Sequence, residues 1–296
     1  MAGKVGFIGL GAMGGPMARN LIKAEVPLVV HDIDAGKTAQ LNAEVAASAK
    51  ELAAKCERTI LIVETTEQAQ GVIAGSDGIV HGAKAGHIVI CMSTIDPFAA
   101  RALAEGLAAK GIAMIDAPVS GGTGRAQSGE LSVIVGGDAA VVAKCRDLFD
   151  VMGNQTFHVG PLGHGLAMKL VNNMLVQVNT VAVAEAMVLG VKAGLDPKTI
   201  YDVVRVSTGA SAAWELRVPR ILEGDFVPGG TIDISYKDQE LETAFAKRLG
   251  VPLLLANVTQ QVYQMARAQG LNKQDGAAIV KVFEQMAGVT VRGAMK

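Results

Sequence analysis

Aromatic side chains are scarce in this 296-residue chain, at 4% of residues with a single tryptophan. A core must therefore come from Ala, Val, Leu, Ile and Met, which the 50% hydrophobic content can supply. Net charge is equally scarce, since 27 Lys and Arg stand against 28 Asp and Glu. No basic stripe is available to neutralise phosphates, which argues against nucleic-acid binding. No block of like charge marks a disordered tail. Only three cysteines occur, Cys56, Cys91 and Cys145. They are odd in number and far apart, which suits neither a disulfide framework nor a zinc site, so no metal is expected. Reduced thiols in a cytoplasmic protein are the simpler expectation. The most apolar long stretch, 168–195, is interrupted by Lys169, Asn172, Asn173, Gln177, Asn179 and Glu185. That many polar groups would be costly in lipid, and the glycine-broken N-terminus lacks the layout of a secretory signal. A soluble protein with no membrane partner is expected.

What is present is alternation. Short apolar strand-like runs at 4–8, 28–31, 59–63, 87–92, 113–115 and 131–135 are separated by helix-like stretches at 13–24, 49–55, 98–110 and 140–151. This pattern predicts a parallel sheet covered by helices on both faces. Near Gly160 the pattern changes, and no further strand is expected. A long helix over 169–193 follows, then helices over 199–206, 212–222, 234–249, 253–269 and 276–286. Asp196-Pro197 reads as a helix start, with a capping side chain followed by proline in the first turn. The expectation is an α/β domain over 1–162 and an all-helical domain over 163–296, beginning with the long helix.

Gly9, Gly11 and Gly14 spell GxGxxG, directly after the first predicted strand and at the start of a predicted helix. The segment Gly9-Leu10-Gly11-Ala12-Met13-Gly14 is followed, 18 positions after Gly14, by Asp32 at the end of the next strand. Strand, glycine turn, helix and acid in that order form a dinucleotide-binding arrangement. Gly9 permits the tight turn, Gly11 lets backbone approach a pyrophosphate, and Gly14 lets helix and strand pack closely. An acid at Asp32 would accept hydrogen bonds from ribose hydroxyls and repel a 2′-phosphate. NAD is therefore expected over NADP, although Lys37 nearby keeps NADP open.

At these residues the chain resembles the β-hydroxyacid dehydrogenases, the family of 3-hydroxyisobutyrate dehydrogenase, tartronate semialdehyde reductase and 2-(hydroxymethyl)glutarate dehydrogenase. The resemblance rests on 6–14 with Pro16-Met17-Ala18, on Asp116-Ala117-Pro118-Val119-Ser120-Gly121-Gly122, on Gly163-His164-Gly165 with Lys169-Leu170-Val171-Asn172-Asn173, and on Lys237-Asp238. It implies a Rossmann-type N-terminal domain and an all-α C-terminal domain like that of 6-phosphogluconate dehydrogenase, joined by a long helix. It also implies that Ser120, Gly121 and Gly122 bind the substrate carboxylate, Lys169 is the catalytic acid/base and Asn173 holds the substrate. Lys237 would lie near nicotinamide and substrate, and Thr94 would contact the cofactor. Three positions depart from the family pattern. Val63-Glu64-Thr65-Thr66 replaces the usual Leu-Pro, Cys91 replaces a common aspartate, and Gln239 replaces a leucine.

The residues suit the chemistry. Alcohol oxidation sends a hydride to the nicotinamide and a proton to a base, and the protein must supply the base. Lys169 and Asn173 are four residues apart, hence one turn apart on one helix face, and Gln177 and Thr180 continue a polar strip. A lysine with a pKa near ~10.4 needs burial or a second cation, such as Lys237, to act as a base near neutrality. Ser120-Gly121-Gly122 exposes backbone N–H groups suited to a carboxylate. His164 reads as structural or solvated, and Trp214 as core or subunit interface. Arg125 or Arg217 is a candidate for a second anionic group on the substrate.

The leading expectation is an enzyme interconverting a small 3-hydroxy acid and its semialdehyde. The alternatives are an imine reductase, which would lack the lysine and the carboxylate loop, a sugar-acid phosphate decarboxylating enzyme, for which no basic cluster is seen, and a non-catalytic NAD-binding sensor or scaffold. The long apolar helices suggest a homodimer or homotetramer.

Overall fold

Runs rich in Val, Ile and Leu make the strands of the first half. They are β1 (Val5–Ile8), β2 (Leu28–His31), β3 (Glu44–Val45), β4 (Arg58–Leu61), β5 (Ile88–Cys91), β6 (Ala113–Asp116), β7 (Val119–Ser120), β8 (Leu131–Gly136) and β9 (Gly153–Gly160). The computed structural model describes residues 3–293. Two units divide between Lys169 and Leu170, seven residues beyond the expected boundary.

In the first unit the sheet runs β3-β2-β1-β4-β5-β6-β8-β7, with β9 paired to β8. The strands from β3 through to β6 are parallel. The order reverses between β1 and β4, which opens a crevice at the carboxyl ends of the strands. The helices are α1 (Gly14–Lys23), α2 (Ala35–Thr38), α3 (Ala49–Lys55), α4 (Thr66–Ala74), α5 (Pro97–Ala108), α6 (Gly122–Ser128), α7 (Ala139–Ala143) and α8 (Arg146–Met152). Alternate side chains on each strand feed two separate cores. Val5, Phe7, Val30, Ile60 and Ile90 go to one, and Ile8, Val29, Leu61, Val89 and Cys91 to the other. Burial on both faces is why these strands read as continuous apolar runs.

The sheet is parallel as expected except at its far edge. β8 runs antiparallel to both β6 and β7, and β9 then runs parallel to β8. β9 was not legible in the sequence because Gly153-Asn154-Gln155-Thr156-Phe157-His158-Val159-Gly160 is mostly solvent-facing and carries no apolar alternation.

Helix α9 (His164–Lys192) has 29 residues and belongs in part to each unit. It starts five residues before the expected 169, and its first turn runs through Gly165. By length and composition alone it could cross a membrane. In the second unit, however, its apolar side is core: Val181, Val183, Ala184, Met187 and Val188 lie in one buried cluster with residues of the following helices. Those helices are α10 (Pro197–Val204), α11 (Ala212–Glu223), α12 (Ile232–Leu249), α13 (Leu254–Ala268) and α14 (Val280–Ala287). Asp196 caps α10 as expected, its carboxylate accepting from the Thr199 N–H at 2.7 Å. The helix expected at 276–286 is instead a 3-10 turn, Gly276–Ile279, followed by α14. Trp214 is core, with its indole N–H donating to the Tyr201 carbonyl at 3.3 Å.

Candidate active site

The glycine turn after β1 is built as its spacing implied. Gly9 has φ +92°, and a Cβ there would lie 2.2 Å from the Ile62 carbonyl oxygen. A Cβ on Gly14 would lie 1.9 Å from the Gly9 oxygen. Protein packing therefore forbids side chains at both positions. Gly11 differs, because it is exposed and nothing lies within 4 Å of a Cβ there. The space that Gly11 leaves is external and suits a bound pyrophosphate. α1 starts with no side-chain cap, so the positive end of its dipole is available to an anionic ligand, although the Gly15 N–H is already taken by the Gly11 carbonyl at 3.0 Å and Pro16 has none to offer. These features fit a dinucleotide.

Asp32, just past β2, closes this turn. Its Oδ2 accepts from the Leu10 N–H at 2.6 Å and its Oδ1 from the Asp34 N–H at 2.9 Å. Burial alone would raise the Asp32 pKa. The N–H groups of Asp34 and Leu10, with the charges of Lys37 and His31, outweigh it and hold the carboxyl below its ordinary value. Lys37 Nζ stands 3.7 Å from Oδ1.

The departure at 63–66 is a helix cap. Thr65 accepts from the Gln68 N–H at 3.2 Å, and the Gln68 side chain accepts from the N–H groups of Glu64 and Thr65. Glu64 is exposed, away from the protein interior. The end of β4 is tied to the segment after β5 by the Val63 N–H, which donates to Ser93 Oγ at 2.7 Å. Thr94, half-buried, follows Ser93 at the carboxyl end of β5. Cys91 is fully buried, and burial pushes its thiol up to about 12, so it is an inert core thiol.

Ser120 ends β7, and α6 begins at Gly122. Gly121 has φ +134° and Gly122 φ +69°, so this turn needs glycine at both positions. Arg125 lays its aliphatic stem over Gly121, where a Cβ would meet its Cδ at 2.7 Å. The Arg125 side chain is exposed, and its guanidinium makes no ion pair among the described residues.

Along α9, Lys169 is half-buried at the end of the first unit, and Asn173 lies one turn on, in the second. Asn173 Nδ2 donates to Asp238 Oδ2 at 2.8 Å, and the Lys237 ammonium lies 2.9 Å from Asp238 Oδ1. Gln177 Nε2, a further turn along, donates to the Ser235 carbonyl at 3.2 Å. The second unit thus brings Asn173 and Lys237 together around Asp238, a residue the sequence reading had not placed in the site. Its only signal was its place beside Lys237. Gln239, next along α12, is 1% exposed, and its amide atoms have no hydrogen-bond partner among the described residues.

Arg217 does not fit the expected role at a substrate anion. It is buried, with one guanidinium nitrogen 2.7 Å from Asp275 Oδ1 and Nε 3.4 Å from Thr180 Oγ1. Asp275 also pairs with Arg220 at 2.8 Å and accepts from the Gly229 and Ala277 N–H groups. Arg217 therefore stitches helices of the second unit together, and its charge is already compensated. Thr180 does not extend a polar strip for substrate, since its hydroxyl returns to the Val176 carbonyl at 2.8 Å.

A glycine turn, an uncapped helix start and an acid at the next strand, in a doubly wound unit followed by an all-helical unit, define a dinucleotide-binding protein. Comparison with known proteins narrows the class. Residues 4–160 match the model of the NAD-binding domain of 6-phosphogluconate dehydrogenase. Residues 163–283 match that of the NAD-binding domain of NADP-dependent 3-hydroxyisobutyrate dehydrogenase. The chain is 38% identical to 2-(hydroxymethyl)glutarate dehydrogenase of Eubacterium barkeri over 301 residues, covering 98% of each. It is 34% identical to L-threonate dehydrogenase of Cupriavidus necator, covering 96% of this chain and 97% of that one. The solved 3-hydroxyisobutyrate dehydrogenase of Mycobacterium tuberculosis superposes with a TM-score of 0.89 at 29% identity, over 96% of this chain and 99% of that one. The chain belongs to the β-hydroxyacid dehydrogenase family, and is an oxidoreductase that acts on a CH–OH group with a nicotinamide cofactor.

Proposed function

We propose that this enzyme interconverts a small 3-hydroxy acid and its semialdehyde, with Lys169 as acid/base. One observation carries the reading: the polar face of α9 presents Lys169 and, one turn on, an Asn173 held by Asp238. A nicotinamide dinucleotide held at the Gly9–Gly14 turn and Asp32 would supply the hydride acceptor for the carbinol carbon. Lys169 Nζ, as the free amine, takes the hydroxyl proton as the C–O bond becomes C=O. In the reverse direction the ammonium returns that proton to the carbonyl oxygen. Asn173 orients the substrate hydroxyl, and the Ser120-Gly121-Gly122 turn receives the carboxylate.

Asp32 supports NAD over NADP, because an ionised carboxylate there repels a 2′-phosphate. The exposed guanidinium of Arg125 above Gly121 supports a substrate with a second anionic group. The exposed Leu254, Leu255 and Val258 on α13, with Leu249 and Val251 before it, support a homodimer or homotetramer. The free thiols Cys56, Cys91 and Cys145 suit a reducing cytoplasm.

The test is Lys169→Ala with a panel of hydroxy acids and both cofactors, following NADH or NADPH formation. Turnover should fall by roughly 10²–10⁴-fold while NADH still binds. Native turnover in a folded variant rejects the mechanism. NADH binding by the wild-type enzyme with no turnover on any acid would favour a sensor. Arg125→Ala should cost more with dicarboxylic than with monocarboxylic hydroxy acids, and equal loss on both rejects that assignment.

A further inference from the structure

Asp116 ends β6 at 0% exposure, and no step of the proposed reaction uses it. Its Oδ1 accepts from the Gly163 N–H and its Oδ2 from the Leu166 N–H, each at 2.7 Å. These N–H groups flank the start of α9, where helix geometry leaves backbone donors without partners. The contact is also sterically exclusive. A Cβ on Gly136 would lie 2.5 Å from Oδ1, and one on Gly165 would lie 2.8 Å from Oδ2. Gly163 itself sits at φ +88°. The three glycines therefore let the helix end approach the carboxylate from β8 and from the chain before α9. The negative charge also faces the positive end of the helix dipole. Cys91, its register partner on β5, and His164 are the titratable neighbours.

We infer that Asp116 is a positioning residue for the acid/base. It pins the first turn of α9 to the carboxyl end of β6, the same edge of the sheet at which Gly9 and Asp32 stand. Lys169 follows Leu166 by three residues on that helix, so its amine inherits whatever place Asp116 fixes for the turn. The inference rests on Lys169 being the acid/base. It accounts for two facts that helix propensity does not: the helix starts through Gly165, and a carboxylate is buried where, among the described residues, no cation forms an ion pair with it. Burial pushes the Asp116 carboxyl above its ordinary range against the pull of the two N–H groups.

Asp116→Asn is the test. The amide oxygen can keep one N–H, but the NH₂ meets the other donor, so one of the two bonds is lost. Turnover of the hydroxy acid should fall by about tenfold to a hundredfold, as expected for a displaced catalytic group. The NADH dissociation constant should stay within about twofold, and amide hydrogen exchange across 163–169 should rise, as fits a local opening. Unchanged turnover below the melting temperature overturns the inference. So does a parallel loss of NADH affinity, which would mean general damage to the first unit. If Asp116→Asn does not fold, Gly165→Ala sets a methyl 2.5 Å from the Ile134 carbonyl oxygen of β8 and 2.8 Å from Asp116 Oδ2, which forces the helix start away from both and should give the same split. The wild-type enzyme alone also tests the contact: the Leu166 amide must exchange as slowly as the β1 and β5 amides, and exchange like an exposed helix start overturns the inference. Lys169→Ala measured in parallel separates the two readings. Retained turnover there sinks the role of Lys169, whereas the exchange result at 163–169 does not depend on it.

Discussion

Asn173 Nδ2 on α9 donates to Asp238 Oδ2 on α12 at 2.8 Å, and the same carboxylate holds Lys237 on its other oxygen at 2.9 Å. One buried acid thus fixes Asn173 by a hydrogen bond and stands beside the charge of Lys237, and the family resemblance places both residues beside the substrate. Asn173→Ala and Asp238→Ala should each lower kcat/KM, and the double variant should be little worse than either. The coupling should be about 1 kcal/mol or more, as for a hydrogen bond to a charged group. A double-mutant cycle on kcat/KM measures it, and simple additivity would mean that the two act independently.

Asp32 joins cofactor choice to loop order, because the oxygen that accepts from Leu10 belongs to the carboxylate expected at the ribose. Asp32→Asn should lower the ratio of kcat/KM with NAD to that with NADP by roughly tenfold or more, the worth of about one charge-assisted hydrogen bond. NADH binding should weaken as well, since the N–H of Leu10 loses an ionised acceptor. Steady-state kinetics with both cofactors decides. A preserved ratio would show that selection lies elsewhere in the crevice.

Arg217 and Asp275 form a buried pair inside the second unit, so their substitution should be read out in stability. Arg217→Ala should destabilise by about 3 kcal/mol, the lower end of the range for breaking a buried pair, because Arg220 still compensates Asp275. Chemical unfolding measures the loss. Discrimination between mono- and dicarboxylic substrates should not change, which separates Arg217 from Arg125.

His87 gives the fold an acid-side weakness. Its Nδ1 faces the Cys56 carbonyl at 3.0 Å, which can only accept, so Nδ1 carries the proton and Nε2 accepts from the Thr59 hydroxyl at 3.0 Å. Burial lowers the His87 pKa, and the Cys56 hydrogen bond only partly opposes it. The unfolded chain therefore binds a proton at a higher pH than the folded one. Stability is full above the unfolded value of about 6.5 and is lost as pH falls from there toward the lower folded value. His87→Asn removes the titrating group, so its melting temperature should depend less on pH than wild type between about pH 7.5 and 5.5. Parallel curves would place the acid sensitivity elsewhere.

The sequence by itself determined whatever depends on neighbours along the chain. Gly9, Gly11, Gly14 and Asp32 were legible because a glycine turn between strand and helix has local steric requirements. The start of α10 was legible in Asp196-Pro197, and the shared face of Lys169 and Asn173 in their four-residue spacing. Only the tertiary structure decided what depends on residues far apart in sequence. Asp116 meets Gly163 and Leu166 across 47 and 50 positions, Asn173 meets Asp238 across 65, and Arg217 meets Asp275 across 58. β9 took its place in the sheet through pairing with β8 rather than through any pattern of its own. A buried polar group must find a partner wherever the fold supplies one. Its type can be read from the sequence, and its partner only from the folded chain.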